Sequence, residues 1–371
     1  MKTPSLPTGE RGTFDADAQK SFTLPSRYYH DPEIHQRELQ AIFHRSWIYI
    51  GHASQLPQPG DYRVDQVADQ CVFVVRSDVS TIQAFHNVCQ HRGHQLLQDS
   101  GNTGKKIVCP YHAWTYRLDG SLANAPYTDA MSGFDPGEFG LREIRLINCR
   151  GLLFVNLDPD APAFETEYAG LDATFDQYLP DLTDFGRAYQ LEFDIAANWK
   201  VVVDNFSEGY HIPVAHKQLS KVFDSQRNKN AIIERRYACF ESVSKSGYEG
   251  FELEPGEPYL SWTMWPNTCM LSQPGCENLI VLRMAPNGPT RCLERADILS
   301  PNGETSGNLE AIKNLFAENF NLEDIAIVES VQRGLQSLGY DQSRYVVDDR
   351  NAWYSEAGLH SFHQQILEAL E

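Results

Sequence analysis

Short runs of alternating apolar and polar residues dominate the first half of the chain, and turn-forming Pro, Gly, Asp and Ser residues separate them. Such runs predict β-strands, here at residues 47–51, 62–67, 71–76, 82–86, 106–109, 115–118 and 151–156. Residues 31–42 have a helical apolar period, and the polar first 27 residues, dotted with Pro and Gly, predict an extended arm. Residues 46–160 are therefore predicted to form an all-β domain.

The pattern changes after residues 158–162, whose two prolines and two aspartates mark a candidate domain boundary. Helical periods follow at residues 164–179, 199–210, 308–338 and 359–370. Strand-like runs alternate with them at residues 189–196, 236–244, 259–264, 268–271, 279–285 and 292–299. The pattern predicts an α+β fold in three parts: an arm and helix over residues 1–45, the all-β domain over 46–160, and a domain over 161–371 with a sheet and long carboxy-terminal helices.

Composition and charge narrow the classes of function. Of the 371 residues, 42% are hydrophobic and 22% charged, as in ordinary soluble proteins. The net charge of −19 disfavours nucleic acid and anionic membranes as partners and suits a cationic substrate, although solubility alone also explains it. Because no apolar run reaches the length of a signal peptide or a membrane span, we expect a cytoplasmic protein. Eight cysteines spread over this length do not predict a disulfide scaffold.

The strongest chemical signal is Cys89-Gln90-His91, followed after 17 residues by Cys109-Pro110-Tyr111-His112. Two thiolates suit ferric iron and bridging sulfide, and two imidazoles on the second iron raise its reduction potential. A zinc site uses the same donors, but zinc fingers pair Cys with Cys and His with His, whereas each half here carries one of each. The pattern favours a [2Fe–2S] cluster on Cys89, His91, Cys109 and His112.

Four segments together resemble the large subunits of the ring-hydroxylating Rieske oxygenases. Residues 89–93 and 109–114 are similar to the family's Rieske motif, residues 198–216 to its iron-binding motif, and residues 322–335 to the helix that supplies a carboxylate. The resemblance implies a Rieske domain followed by a helix-grip catalytic domain with an antiparallel sheet. It also implies mononuclear Fe(II), O2 as co-substrate, electrons from NAD(P)H through a separate flavin/iron–sulfur reductase, and a head-to-tail homotrimer acting as a monooxygenase or dioxygenase.

His211, His216 and Asp324 are the candidate ligands of the mononuclear iron. Two histidines and one carboxylate on one face of Fe(II) leave positions open for dioxygen and substrate. Adjacent residues on a helix point in different directions, so only one of Glu323 and Asp324 can face the metal. We select Asp324 over Glu323 and Glu329, with a solvated acidic helix face as the alternative.

An acidic residue near the first iron histidine is the candidate bridge for electrons. In the family such a residue stands three positions before that histidine and hydrogen-bonds a Rieske histidine of the neighbouring subunit. Glu208 has this position, where aspartate is usual, and Asp204, next to Asn205, is the rival. With glutamate at this position, the chain resembles the subgroup of the family that oxidises quaternary ammonium compounds. That subgroup includes carnitine and choline monooxygenases and betaine demethylases.

That resemblance implies N-demethylation of a betaine, such as glycine betaine, with release of formaldehyde. Aromatic faces attract a trimethylammonium group, which cannot donate hydrogen bonds. The candidate aromatic contacts are Phe206, Tyr210, Trp262 and Trp265, although large aromatic residues are more often ordinary core. Arg283 or Lys200 could hold the carboxylate of a betaine.

Three other functions compete with this interpretation. The same machinery could hydroxylate or O-demethylate an aromatic acid. A Rieske electron carrier without catalysis needs only residues 46–160 and leaves His211, His216 and Asp324 unexplained. A zinc-binding interaction protein would be colourless and free of sulfide.

Overall fold

The computed structural model describes residues 12–217, 219–222, 231–245, 256–350 and 352–371. These residues divide into two compact units, one formed by residues 43–164 and the other by residues 12–42 together with 165–371. The amino-terminal segment therefore packs within the unit that also holds the carboxy-terminal half. Residues 1–11 of the predicted arm lie outside the described residues.

Antiparallel strands build the unit of residues 43–164. Its described residues form one sheet in the order β1-β10-β9-β4-β3-β2-β5 and a smaller sheet β6-β7-β8. The strands are β1 Ile48–His52, β2 Asp61–Val67, β3 Gln70–Arg76, β4 Ile82–His86, β5 Ser100–Asn102, β6 Lys106–Val108, β7 Thr115–Arg117, β8 Leu122–Asn124, β9 Glu143–Cys149 and β10 Leu152–Asn156. The predicted all-β character is confirmed. Periodicity missed β5 and β8, which are three residues long, and β9, whose mixture of charged and apolar residues hides its alternation.

A single antiparallel sheet forms the centre of the other unit, with the order β11-β17-β16-β15-β14-β13-β12 in its described part. Its strands are β11 Phe185–Ile195, β12 Ile232–Ile233, β13 Tyr237–Val243, β14 Pro258–Met264, β15 Thr268–Ser272, β16 Leu279–Pro286 and β17 Cys292–Pro301. Along β14, Leu260, Trp262 and Met264 are buried, while the alternate residues Ser261 and Thr263 are half-buried on the opposite face. The predicted α+β fold with an antiparallel sheet is confirmed.

Helices complete this unit, and several differ from the predicted spans. They are α1 Pro32–Glu38, α2 Phe164–Glu167, α3 Leu171–Tyr178, α4 Trp199–Phe206, α5 Ile212–Ala215, α6 Leu219–Val222, α7 Gly307–Leu315, α8 Asn321–Leu335 and α9 Ala357–Leu370. The helix predicted over residues 164–179 is split at Gly170, whose φ of +91° favours glycine and whose missing side chain leaves room for the hydroxyl of Tyr237.

A widened π-type turn, Phe316–Phe320, joins α7 to α8 within the long helical stretch predicted over residues 308–338. Such turns interrupt α-helices frequently at functional sites. Helix α4 ends at Phe206 instead of continuing to Tyr210, and Ser207 caps it. The chain therefore changes direction just before Glu208.

Helix α8 is tied to the start of α4 by two side chains. Gln332 accepts a hydrogen bond from the backbone N–H of Asn198 (2.8 Å) and donates one to the carbonyl of Tyr29 (3.0 Å). Glu329 accepts a hydrogen bond from the backbone N–H of Ala196 (3.0 Å). These bonds set the register of α8 against α4, so the first turn of α8 has a defined position relative to the residues that follow α4.

A buried ion pair anchors the amino-terminal segment to α4. Lys200 Nζ lies 2.6 Å from Oε1 of Glu38, and both side chains are fully buried. The other carboxylate oxygen of Glu38 accepts a hydrogen bond from the Trp199 indole at 3.1 Å. Burial lowers the pKa of the Lys200 ammonium, and the Glu38 carboxylate opposes that shift. Since Lys200 is engaged here, the structure does not place it where it could hold a substrate carboxylate.

We expect Glu38→Ala to lower the free energy of unfolding by about 3–5 kcal/mol, because it leaves a buried ammonium without its counter-charge. The change is measured as a shift of the denaturation midpoint in urea. The double variant Glu38→Gln/Lys200→Met is the control and should recover much of the loss, since it removes both charges. An unchanged midpoint for Glu38→Ala contradicts the assignment.

Candidate metal centres and cavity

Two loops with the same backbone geometry carry the four predicted cluster ligands. In the first, the N–H of Cys89 donates to the carbonyl of His94, and the N–H of Gly93 donates to the carbonyl of Cys89. In the second, Cys109 donates to Trp114 and Ala113 donates to Cys109, with the same spacings along the chain. Gly93 and Ala113 are both left-handed, with φ of 72° and 58°. The paired loops therefore present their Cys and His side chains in equivalent ways.

Burial separates the thiols of these loops from the imidazoles. Cys89 and Cys109 are each only 2% exposed and belong to the hydrophobic core of this unit. The Cys89 thiol lies 3.2 Å from the hydroxyl of Tyr116, whose hydroxyl also accepts a hydrogen bond from the N–H of Gln90. His91 and His112 are exposed, with ring centroids 4.7 Å apart. The donors thus form an inner thiol pair and an outer imidazole pair.

The arrangement of these four donors favours a cluster over a single ion, because the buried thiols and the exposed imidazoles form two separate pairs. A tetrahedral zinc site brings all of its ligands to one ion. Donors split into a thiol pair and an imidazole pair fit a two-iron cluster with Cys ligands on one iron and His ligands on the other.

In the second unit, His211 and His216 turn their Nε2 atoms toward Asp324. Oδ1 of Asp324 lies 3.0 Å from Nε2 of His216 and 3.6 Å from Nε2 of His211. His211 and His216 flank α5, and Asp324 is in the first turn of α8. Two imidazoles and one carboxylate on one side of a metal are the donor set of non-haem Fe(II) oxygenases, and the residues present therefore fit that ion.

Each of these imidazoles is held at its other nitrogen by a second carboxylate. Nδ1 of His211 lies 2.6 Å from Oε1 of Glu208, and Nδ1 of His216 lies 2.7 Å from Oε2 of Glu323. A proton held on Nδ1 leaves Nε2 free to bind a metal. Burial lowers the pKa of His216, but Asp324 and Glu323 outweigh that effect and raise it. The carboxylates of Glu208, Glu323 and Asp324 place negative charge around the two imidazoles, and a bound cation would neutralise it.

The three acids considered for the carboxylate ligand occupy three different positions. Asp324 faces the Nε2 atoms of both imidazoles, Glu323 faces Nδ1 of His216, and Glu329 bonds the backbone of Ala196. The assignment of Asp324 as a ligand stays a prediction that this geometry supports. Sequence reasoning did not identify Glu323 as the partner of His216, because the direction of a neighbouring side chain depends on where the histidine lies in the fold.

Comparison with known proteins gives matches over both units. Residues 46–137 match the Rieske [2Fe-2S] domain family, and residues 182–371 match the family of the ring hydroxylating alpha subunit (catalytic domain). The chain is 32% identical over 361 residues to the carnitine monooxygenase oxygenase subunit of Escherichia coli K12, covering 96% of each protein. It is 31% identical to the choline monooxygenase of Amaranthus tricolor chloroplasts, covering 93% of this chain and 77% of that protein.

A solved structure of a quaternary ammonium Rieske monooxygenase superposes with a TM-score of 0.90 at 31% identity, covering 96% of this chain and 98% of the other. The chain belongs to the Rieske ring-hydroxylating oxygenases. It is a non-haem iron monooxygenase of that family, and the family's two domains imply a Rieske [2Fe–2S] cluster, a mononuclear iron and O2 as co-substrate. Among the described residues of this oxygenase, no helix has both the length and the apolar composition of a membrane span.

A cavity of about 140 Å³ opens beside His211, His216 and Asp324. One water needs about 10–15 Å³ by this measure, so the cavity has room for a small organic molecule. Its described lining includes six aromatic side chains, namely Phe206, Phe240, Tyr259, Phe316, Phe320 and Trp353. Asn205, the third of the residues predicted near the electron bridge, also lines it.

Of the four aromatic residues predicted to contact substrate, Phe206 lines this cavity and the other three lie elsewhere. Trp262 is fully buried on the opposite face of β14, where its indole donates to Thr174, because alternation turns it away from Ser261 and Thr263. Trp265 is buried beside Arg236 and Phe362. Tyr210 follows the end of α4 and is 55% exposed.

Arg283 does not line the cavity either, although its neighbours Leu282 and Met284 do. Its side chain is 3% exposed on β16, opposite Thr268 and Arg295 in the sheet. The prediction that Arg283 or Lys200 holds a substrate carboxylate is therefore corrected. Neutral donors stand in the lining instead, among them Asn205, Ser261 and Gln273.

The two rival bridge residues have different surroundings. Both oxygens of Glu208 are directed at His211, one toward Nδ1 and the other accepting the backbone N–H at 3.1 Å. Asp204 is engaged in a network with Tyr29 (2.8 Å) and His363 (3.0 Å). Helix α4 has ended before Glu208, so a turn brings Glu208 to His211.

Two features of the cavity escaped sequence reasoning. Phe316 and Phe320 precede Asp324 by eight and four residues, a helical spacing that could have indicated a shared face. Glu294 alternates with Cys292 and Ala296 along β17, and all three side chains are buried. An acidic residue between two apolar residues of the same strand face could have indicated a buried carboxyl group.

We expect His211→Ala to remove the mononuclear iron and abolish turnover while the visible spectrum of the cluster remains, because the two centres use separate donors. Iron and sulfide analysis with absorption spectroscopy measures both effects. Cys109→Ser is the opposite control and should bleach the cluster. A bleached spectrum in His211→Ala contradicts the separate sites.

We expect Glu208→Gln to retain both metal centres and to slow electron arrival at the mononuclear iron by about 10–100-fold, the usual cost of altering a ligand's hydrogen-bond partner. Stopped-flow reoxidation of the reduced cluster measures the rate. Asp204→Asn is the matched variant and should affect this rate less. If Asp204→Asn slows the transfer and Glu208→Gln does not, Asp204 is the bridge.

Proposed function

We propose that this oxygenase oxidises a quaternary ammonium compound. The observation that carries the proposal is the aromatic lining of the cavity next to the iron donors, with rings such as Phe206, Tyr259 and Phe320. A quaternary nitrogen has no N–H to donate, so aromatic faces, whose quadrupoles attract cations, are its best neutral partners. The names of the relatives, carnitine monooxygenase and choline monooxygenase, support the same class.

The specific reaction proposed is N-demethylation of a betaine. O2, two electrons and two protons insert one oxygen into a methyl C–H bond and leave the other as water. The N-hydroxymethyl product then breaks its C–N bond and releases formaldehyde, a proton and the tertiary amine. The carboxylate of the betaine would accept hydrogen bonds from neutral donors of the lining, such as Asn205 and Gln273.

The residues of the chain have separate tasks in this scheme. His211, His216 and Asp324 would hold the iron, which activates dioxygen with electrons from the cluster. Glu208 and Glu323 keep the Nδ1 protons in place and so direct both Nε2 atoms at one point. The apolar rings exclude water from the side of the cavity where the methyl group reacts.

The electron supply belongs to the proposal as well. A flavin/iron–sulfur reductase would pass electrons from NAD(P)H to the cluster on Cys89, His91, Cys109 and His112. Glu208, which is bonded to His211 and keeps 11% of its side chain exposed, would contact a Rieske histidine of a neighbouring subunit in a trimer. Electrons would then cross between subunits, from the cluster of one to the iron of the next.

In the test, the purified oxygenase is combined with a flavin/iron–sulfur reductase and NADH. The substrates compared are glycine betaine, proline betaine, carnitine, choline and a set of aromatic acids. Oxygen uptake, formaldehyde and product mass are measured for each. We expect uptake with one or more quaternary ammonium compounds and formaldehyde in equal amount for a betaine. Oxygen uptake without formaldehyde would locate the oxidation on another carbon.

Two outcomes contradict the proposal. Turnover of aromatic acids alone would make this chain a hydroxylase or O-demethylase of aromatic acids. The proposal is also contradicted if none of the quaternary ammonium compounds tested is oxidised by a preparation that contains its full complement of cluster and iron.

A further inference from the structure

The cavity wall carries a carboxyl group that is not directed at the iron donors. Within the described part of the lining, the carboxyl side chains are Glu208, Asp324 and Glu294. Glu208 and Asp324 lie at the imidazoles of the iron site, whereas Glu294 comes from β17 and hydrogen-bonds Asn321. Glu294 is therefore a candidate to interact with a molecule that enters the cavity.

Glu294 is held in a fixed position by its neighbours. On β17 it pairs with Met284 of β16, which lines the same cavity. Its Oε1 accepts a hydrogen bond from the side-chain amide of Asn321 at 2.7 Å, and Asn321 is itself 5% exposed at the start of α8. The carboxyl group is thus placed at the wall of the cavity before any substrate binds.

The surroundings of Glu294 make a negative charge there costly. The side chain is 2% exposed, and burial raises its pKa to about 7, while Asn321 lowers it and Asp324 raises it further. A buried carboxylate with a neutral partner is unfavourable unless a positive charge comes close. Among the described residues of the lining there is no Lys or Arg to supply one.

We propose that Glu294 selects a positively charged substrate by placing its carboxylate against the cationic nitrogen in the cavity. This inference rests on the proposed function and deepens it by naming the residue that reads the charge. A quaternary nitrogen cannot hydrogen-bond, so charge attraction and the faces of rings such as Tyr259 and Phe316 are the available means of recognition. The apolar wall strengthens that attraction, because water screens it little.

The test compares a cation with its neutral carbon analogue. Choline and 3,3-dimethylbutan-1-ol differ by the replacement of the quaternary nitrogen with carbon, so the ratio of their dissociation constants measures recognition of the charge. Titration calorimetry is carried out on the oxygenase with both metal centres loaded, without dioxygen or reductant. We expect the native protein to bind choline at least about tenfold more tightly than the alcohol, as a poorly screened charge pair would give.

Glu294→Gln keeps the shape and the acceptor for Asn321 but removes the charge. We expect this variant to lose most of the preference for choline while its affinity for the alcohol stays the same, and Glu294→Asp to keep part of the preference. Glu192→Gln removes the same charge from an exposed site of β11 and should keep the native ratio. Absorption of the cluster and the melting temperature show that each variant is folded.

The outcomes separate this inference from the proposed function. An unchanged ratio in a folded Glu294→Gln protein overturns the inference and assigns the residue to positioning Asn321, even if the native enzyme oxidises quaternary ammonium compounds. If Glu294→Gln does not fold, a reduced but remaining preference for choline in Glu294→Asp would support the inference, whereas an unchanged ratio in Glu294→Asp, or equal affinities for choline and the alcohol in the native protein, would overturn it. Loss of the ratio in Glu294→Gln supports the inference, and absence of turnover with every cation would then contradict the proposed function alone.

Discussion

Three carboxylates converge on two imidazoles in the larger unit of this oxygenase. Glu208 holds Nδ1 of His211, Glu323 holds Nδ1 of His216, and Asp324 faces both Nε2 atoms. So many negative charges at short range repel one another, and a divalent cation at the Nε2 atoms relieves that repulsion. The arrangement is therefore built around an ion, and the surrounding structure serves to hold donors that would otherwise move apart.

The donors come from two segments more than a hundred residues apart, and the protein connects them through buried polar contacts. Glu329 and Gln332 of α8 accept hydrogen bonds from the backbone N–H groups of Ala196 and Asn198, just before α4. Helices α8 and α4 therefore cannot slide past each other without breaking both hydrogen bonds. Tyr29, His363 and Tyr345 extend the network around Asp204, and the Tyr345 hydroxyl lies 2.7 Å from Nδ1 of His363. The amino-terminal segment and α9 are part of this support, which explains why residues 12–42 belong to the same unit as the iron donors.

The cavity extends the same electrostatic character away from the iron site. Its wall contains six aromatic rings, and Glu294 adds a buried carboxyl group to it. A neutral arene would gain from the rings and nothing from the carboxyl group, whereas a cation gains from both. Under the proposed function, the selection of substrate and the binding of the metal would both depend on negative charge kept away from water.

The sequence by itself determined the fold class, the cluster motif and the two histidines that the structure brings together with Asp324. Cys89 and His91, and likewise Cys109 and His112, are so close along the chain that a short loop must bring each pair together, and the strands on either side are visible as alternating residues. The tertiary structure alone decided that Glu323 faces Nδ1 of His216, where α4 ends, and which aromatic residues surround the cavity. Trp262 shows the reason: alternation along β14 separates two faces, but only the packing of helices against the sheet determines which face borders the cavity.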